Sequence, residues 1–158
     1  MKPSEIKCLK AKKAHLLPKH FMGITWFGTL YCNNEKDIEL INKTDTIDSN
    51  FKCHETIHIR QAETMHDSWI RFYLNYIWNY IKNMPLIFTD TYAPYRLIGT
   101  EIEAYLHEDE WDYPTKAATE WKELQKLPYR EKLQIAREYN RNKRKKTYRQ
   151  ILKEHFLD

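Results

Sequence analysis

The chain has 158 residues, with 26 Lys and Arg against 22 Asp and Glu, which gives a net charge of +4. Its hydrophobic content of 42% is enough to form a buried core and excludes wholesale disorder. Three glycines and six prolines are too few for the tight turns of a multi-stranded β-sandwich. We therefore expect a helix-rich domain.

The β-structure is expected in the N-terminal part of the chain. Residues 1–20 are rich in lysine and predict a loose basic arm. Residues 21–32 are rich in β-branched and aromatic side chains, which predicts one strand, bent at Gly28. A polar turn follows, and residues 38–41 predict a second short strand.

Helices are expected in the rest of the chain. Residues 50–83 contain neither Gly nor Pro and predict two helices that meet near residues 66–68. A third helix is expected over residues 101–110. Residues 115–146 predict two more helices, with Pro128 in the first turn of the second.

Two stretches leave a choice open. The second helix carries apolar and aromatic residues near one face, which predicts core packing, with attachment to a membrane surface as the alternative. These residues are Ile70, Phe72, Tyr73, Ile77, Tyr80 and Ile81. Residues 141–150 contain six basic residues and no acid, which indicates a solvated face or a contact with nucleic acid or anionic lipid.

The cysteines and the apolar runs indicate where in the cell the protein is expected. Cys8, Cys32 and Cys53 are widely spaced and odd in number, so no disulfide framework is expected. No apolar run of signal-peptide length follows the N-terminus, and residues 69–81 are too short and too polar to span a bilayer. We expect a cytoplasmic protein, with peripheral membrane association as an open alternative.

Residues 54–58 read His-Glu-Thr-Ile-His, which is an H-E-x-x-H pattern. Residues four apart lie on one face of a helix, so His54 and His58 can reach one ion. Glu55 flanks that face and can exchange a proton with a metal-bound water, whose pKa falls to about 7. The pattern predicts a zinc site, and a surface helix with two solvent-facing histidines is the alternative.

The third ligand distinguishes classes of zinc peptidase. Gln61 and Thr64 stand where metzincins have a glycine and a third histidine, which excludes that class. Gluzincins take a glutamate from a downstream helix in an E-x-x-A/S-D pattern, and residues 101–105 match it except for a final tyrosine. Glu103 points about 160° away from Glu101 around a helix, so only one of them can face the metal.

The chain resembles the compact gluzincins in its H-E-x-x-H pattern and in residues 101–105, together with Gln61 and the Tyr95-Arg96 pair. It is similar to the minigluzincins and to small zincin-like proteins of Bacteroidetes-type genomes, over roughly residues 20–110. The resemblance implies a mainly α (α+β) fold, in which a short strand or hairpin precedes the active-site helix. Residues 21–112 would form this domain, after the arm and before a basic helical extension over residues 113–158.

The resemblance also implies a set of site residues. His54, His58 and Glu101 would be ligands of Zn²⁺, and Glu55 would be the general base and acid. Many gluzincins orient a ligand histidine with an aspartate where this chain has Tyr105, whose hydroxyl would offer altered support.

Four residues are candidate donors for the developing oxyanion: Tyr92, Tyr95, Arg96 and His107. Of these, Tyr95 and Arg96 precede the ligand helix and could reach the cleft. The alternative is that Tyr95 packs in the core and Arg96 pairs with an acid.

The expected function is that of a zinc metallopeptidase, a hydrolase in which Glu55 activates a zinc-bound water, with a peptide or protein as substrate. A catalytically inactive zincin fold that binds metal or a partner is one alternative. A small basic helical binder of nucleic acid or of a membrane surface is another, and nucleic acid is the less expected partner. The oligomeric state is not predicted.

Overall fold

Helices predominate over strands, which confirms the predicted mainly α, α+β class. The structure, a computed structural model, describes residues 1–15, 23–116 and 119–157. The described strands are β1 (Lys10–Lys13), β2 (Gly23–Trp26) and β3 (Thr29–Cys32). The described α-helices are α1 (Glu35–Lys43), α2 (Asn50–Thr64), α3 (Trp69–Asn83), α4 (Ala93–Arg96), α5 (Gly99–His107), α6 (Trp121–Leu124), α7 (Tyr129–Asn142) and α8 (Tyr148–Phe156). Short 3-10 turns cover Pro3–Glu5, Met84–Phe88 and Tyr113–Thr115.

The strands form one sheet in the order β1-β3-β2, with β1 parallel and β2 antiparallel to β3. The single bent strand predicted over residues 21–32 is wrong, because the chain reverses at Phe27 and Gly28. Both residues have positive φ, 47° and 80°, as a two-residue hairpin turn requires. Phe21 and Met22 lie outside the described residues.

The predicted loose arm is wrong for the part of it that the structure describes, since β1 pairs along β3. The lysines there alternate with the buried side chains of Ile6, Leu9 and Ala11. The Asn42 amide of α1 also accepts from the Ala11 N–H and donates to its carbonyl, both at 2.9 Å. Residues 16–20 of the predicted arm lie outside the described residues.

The second strand predicted over residues 38–41 is also wrong, since these residues belong to α1. A short apolar run is compatible with either structure. The choice of a helix follows from Asn34, whose side chain accepts a hydrogen bond from the Lys36 N–H as an N-cap.

The two helices predicted over residues 50–83 are confirmed as α2 and α3. Ser49 caps α2 through the Lys52 N–H, and positive φ at His66 and Asp67 breaks the helix. The predicted helix over residues 115–127 shortens to α6, and residues 117–118 lie outside the described part. The helix predicted to reach residue 146 ends at Asn142, and Thr147 then starts α8 with a capping box.

Contacts divide the chain into two compact units, Met1–Arg71 with Glu108–Ala118, and Phe72–His107 with Thr119–Asp158. The first unit holds the sheet, α1 and α2, with Leu9, Leu30, Ile41 and Ile57 buried. The predicted boundaries after residues 20 and 112 stay predictions.

The second unit holds α4 to α8 and most of α3, and it has its own hydrophobic core. Its buried members are Leu86, Ala93, Leu97, Ile102, Leu106, Ile135, Ala136, Tyr148, Ile151 and Leu152. No helix among the described residues is long and apolar enough to cross a membrane.

Candidate metal centre

Helix α2 carries both histidines of the H-E-x-x-H pattern on one buried face. His54 and His58 are 7% and 6% exposed, and their ring centroids lie 4.9 Å apart. This is the arrangement that a spacing of four residues produces on one side of a helix. The alternative of a surface helix with two solvent-facing histidines is therefore excluded.

Each imidazole has a hydrogen-bond partner at its Nδ1 atom. His54 Nδ1 lies 2.9 Å from Glu108 Oε2, and His58 Nδ1 lies 2.8 Å from Gln61 Oε1. A carboxylate and an amide oxygen can only accept, so Nδ1 is the donor in both rings. The Nε2 lone pairs are then directed away from these partners, as metal-ligating histidines require.

Glu55 is also buried on α2, and its carboxylate is held by the sheet. Thr25 of β2 donates its hydroxyl proton to Glu55 Oε2 at 2.6 Å. Among the described strands β2 forms one edge of the sheet, so the strand that positions this carboxylate also presents an outer edge.

Glu101 lies in the first turn of α5 and is 1% exposed. The Tyr76 hydroxyl donates to Glu101 Oε1 at 2.9 Å. Burial, and then the charge of Glu101, holds the pKa of Tyr76 well above its ordinary value, so its hydroxyl keeps the proton that it donates. Tyr76 also hydrogen-bonds Tyr95, whose ring centroid lies 6.2 Å away.

Candidate ligand atoms of His54, His58 and Glu101 all lie within 4.8 Å of one another. Zinc ligands about 2.0–2.2 Å from the ion stand roughly 3.4 Å apart in a tetrahedral site. Two neutral imidazoles and one carboxylate are a donor set that suits Zn²⁺ and leaves a fourth position open, so the residues fit the implied metal.

The second carboxylate of α5 has a different role. Glu103 is fully buried, and its Oε1 accepts a hydrogen bond from the backbone N–H of Glu120 at 2.8 Å. Glu103 is therefore a buried carboxylate of the second unit that a backbone amide holds in place.

Tyr105 packs against Tyr148, with ring centroids 5.9 Å apart. It stands where many gluzincins have the aspartate that orients a ligand histidine. In this chain a carboxylate from a different position, Glu108, contacts His54.

Arg96 lies in a group of tyrosine rings in the second unit. Its guanidinium carbon is 5.3, 4.9 and 5.0 Å from the ring centroids of Tyr92, Tyr139 and Tyr148, and its Nη1 is 3.7 Å from Asp90 Oδ2. Of the two predicted oxyanion donors, Tyr95 is therefore the one that contacts Tyr76, the hydrogen-bond donor to Glu101. Both assignments stay predictions.

Cys53 precedes His54 and is fully buried, and its thiol donates to the Glu110 carbonyl at 3.5 Å. Burial, and then the nearby acidic residues, raises the pKa of Cys53 to about 12. The thiol is therefore neutral at physiological pH.

Sequence reasoning did not identify three residues that hold the site: Glu108, Tyr76 and Thr25. Glu108 follows Glu101 by seven residues, and this spacing returns a helix to nearly the same face, so a signal was present. Neither Tyr76 nor Thr25 has a comparable signal, because the contacts are made across separate elements.

Compared with known protein families, curated proteins and solved structures, the chain matches none of them.

Proposed function

We propose that the chain is a zinc-dependent metallopeptidase of gluzincin type. The observation that supports this proposal most strongly is the convergence of His54, His58 and Glu101, with candidate ligand atoms within 4.8 Å of one another. The partners of these residues add support, because Glu108, Gln61 and Tyr76 each hold one of the three in a fixed orientation.

The ion would be held by one nitrogen of each histidine and by the Glu101 carboxylate. When bound, zinc supplies Lewis acidity, which lowers the pKa of water and polarises a carbonyl group. The chain's own groups would handle the protons. Glu55 would accept a proton from the attacking water and pass it to the leaving amine, and Thr25 would keep the carboxylate in place.

Substrate would bind in extended form along β2, which is an outer strand of the sheet. Main-chain hydrogen bonds from an added strand provide affinity without demanding one sequence. Thr25 points from β2 to Glu55, whereas its neighbours Ile24 and Trp26 are about half exposed. A peptide paired with β2 would therefore run past the Glu55 carboxylate.

Metal binding is tested first, by zinc titration calorimetry after chelator treatment and by elemental analysis of the purified chain. Glu101→Gln should weaken zinc binding at least about 10-fold, since a charged ligand is lost. Glu103→Gln is the matched control from the same helix, because its amide oxygen can still accept from the Glu120 N–H. Absence of one zinc per chain, or equal losses in both variants, would overturn the proposed centre.

Catalysis is tested next, with a peptide library and the variant Glu55→Gln. The proposal expects cleavage by the zinc-loaded wild type and none by the variant, with zinc affinity retained in both. If zinc binds and neither protein cleaves any peptide, the peptidase proposal is wrong, and an inactive fold that binds metal or a partner becomes the better description.

A further inference from the structure

Helix α3 turns two of its asparagine side chains inward and its aliphatic side chains outward. Asn79 and Asn83 are each 2% exposed, whereas Leu74, Ile77 and Ile81 are more than half exposed. The predicted packing of Ile70, Ile77, Tyr80 and Ile81 into the core is therefore wrong, although Phe72 is buried as predicted.

Polar contacts within the second unit explain this orientation. Asn83 Oδ1 accepts from Lys132 Nζ at 2.9 Å, and Asn83 Nδ2 donates to the Pro94 carbonyl at 3.2 Å. Asn75 Nδ2 donates to Gln125 Oε1 at 3.2 Å. Because buried amides need such partners, turning the aliphatic face inward would cost these hydrogen bonds.

The exposed side chains of α3 recur every three or four residues and so share one side of the helix, and Phe88 in the turn after α3 is exposed as well. We name these side chains the α3 apolar face, and its members are Leu74 (62% exposed), Ile77 (54%), Trp78 (60%), Ile81 (53%) and Phe88 (93%). Large exposed apolar patches mark interaction sites.

The charged residues of α3 and of the turn that follows it have one sign. The sequence from residue 69 to residue 88 contains Arg71 and Lys82 and no acidic residue. Helix α7 adds Arg130, Arg137 and Arg141, which line one shallow depression with Leu133, Gln134 and Asn140. We name these three arginines the α7 arginine face.

The two faces meet near Phe88. Asn140 lines the depression between the arginines, and its Nδ2 donates to the carbonyl of Thr89 at 3.2 Å. Thr89 follows Phe88 directly, so the most exposed member of the apolar face lies beside the arginine face.

We propose that these two faces dock the chain onto the surface of an anionic phospholipid bilayer. The α3 helix lies in the plane of the interface, where Trp78 and the aliphatic side chains enter the acyl boundary. Lys82 and the α7 arginine face contact the phosphate headgroups, to which polybasic segments are attracted. This inference does not depend on the proposed metallopeptidase activity.

Other occupants fit these observations less well. If a second copy of the chain bound this surface, the basic residues of the two copies would face each other, and like charges oppose such an association. Nucleic acid would satisfy the arginines but not the aliphatic side chains, because bases are bound by stacking on aromatic rings.

Co-sedimentation with vesicles tests the proposal. Wild type should sediment with vesicles of equimolar phosphatidylcholine and phosphatidylserine, and much less with phosphatidylcholine alone. The double variant Ile77→Glu with Ile81→Glu should stay in the supernatant. Leu40→Glu is the matched control, because Leu40 is 59% exposed on α1 of the other unit. A thermal melt by circular dichroism shows whether each variant is folded. Because the substituted positions are exposed, we expect little loss of stability.

A second pair of variants tests the charges. Arg137→Gln with Arg141→Gln should weaken partition into the anionic vesicles roughly 25-fold, at about fivefold per cation. Lys12→Gln with Lys36→Gln removes the same charge from exposed positions of the first unit and should have little effect.

Four results would overturn the proposal. These are no sedimentation with anionic vesicles, equal binding by the Ile77/Ile81 variant and wild type, loss of binding in the Leu40→Glu control, and equal losses in the two charge variants. A dimer in solution that the Ile77/Ile81 substitutions dissociate, without vesicle binding, would assign the face to a second copy. Salt-dependent RNA or DNA binding without vesicle binding would assign the arginines to nucleic acid.

Discussion

Glu108 Oε2 lies 2.9 Å from Nδ1 of His54, so an acceptor-only group fixes which ring nitrogen of that histidine carries the proton. Glu108 follows helix α5 directly and comes seven residues after Glu101. One short segment of sequence thus supplies both a candidate ligand and the group that orients another.

Substituting Glu108 should weaken metal binding without removing a ligand. We expect Glu108→Ala to lower zinc affinity by about 10- to 100-fold, because His54 would lose the partner that sets its tautomer and orientation. Zinc titration calorimetry measures the change. Glu123→Ala removes an exposed carboxylate from α6 and should leave zinc affinity unaltered. Equal affinities for wild type and Glu108→Ala would contradict the assigned role.

Tyr76 should have a comparable effect through Glu101. We expect Tyr76→Phe to reduce zinc affinity by about 10-fold, since Glu101 Oε1 would lose its 2.9 Å donor. Tyr80→Phe removes a hydroxyl from the same helix at a position that is 37% exposed and serves as the control. The prediction fails if the two phenylalanine variants bind zinc equally well.

Thr25 should affect turnover rather than metal binding. We expect Thr25→Val to lower kcat by about 10-fold or more with zinc affinity unchanged, because Glu55 Oε2 would lose its hydroxyl donor. Thr25→Ser keeps the hydroxyl and should restore most of the rate. Steady-state kinetics on a peptide cleaved by wild type separates kcat from KM. A serine variant as slow as the valine variant would show that the hydrogen bond is not the cause.

Gly99 should tolerate no side chain at the start of α5. A Cβ built there would lie 2.5 Å from the backbone nitrogen of Gln125, and backbone is not easily displaced. We expect Gly99→Ala to lower the free energy of unfolding by about 1–3 kcal/mol, as overpacked sites do. Urea denaturation measures this change. Unaltered stability would mean that α5 and α6 separate readily.

Lys132 should make stability depend on pH. Burial, and then the charge of Lys82, lowers the pKa of Lys132 from 10.5 to about 8. Between these two values the unfolded chain binds more protons than the folded chain, so the free energy of unfolding rises with pH. The rise is at most about 3 kcal/mol and is complete near the unfolded pKa.

Denaturation of wild type and Lys132→Met across this pH range isolates the effect. Cys32 and Cys53, whose pKa values burial raises to about 11 and about 12, oppose it above pH 9 in both proteins, so their contribution cancels in the difference. The wild type should gain stability relative to the variant as the pH rises from 8 toward 10. Lys126→Met, at an exposed lysine, should show no such trend, and a flat difference for Lys132→Met would refute the assignment.

The parts of the fold that were predicted correctly depend on local spacing. The break between α2 and α3 and the shared face of His54 and His58 both follow from residues within a few turns of each other.

The wrong predictions have a different cause in each case. A short apolar run is compatible with a strand or a helix, and only the N-cap at Asn34 decided for α1. In and before β1, exposed lysines alternate with buried apolar side chains. This alternation indicates a strand only when β3 is known to pair beside it. Both faces of α3 contain side chains that can be buried, so periodicity alone did not select one of them.

The sequence by itself determined α2 and α3 and the presence of two imidazoles on one helical face. Tertiary structure decided that Glu108 contacts His54, that Thr25 holds Glu55 and that the asparagines of α3 turn inward. The physical reason is that local preferences act over a few residues, whereas these contacts join residues brought together by the path of the chain. A buried polar group takes whichever partner that path supplies, and its requirement for a partner then selects the face that is left exposed.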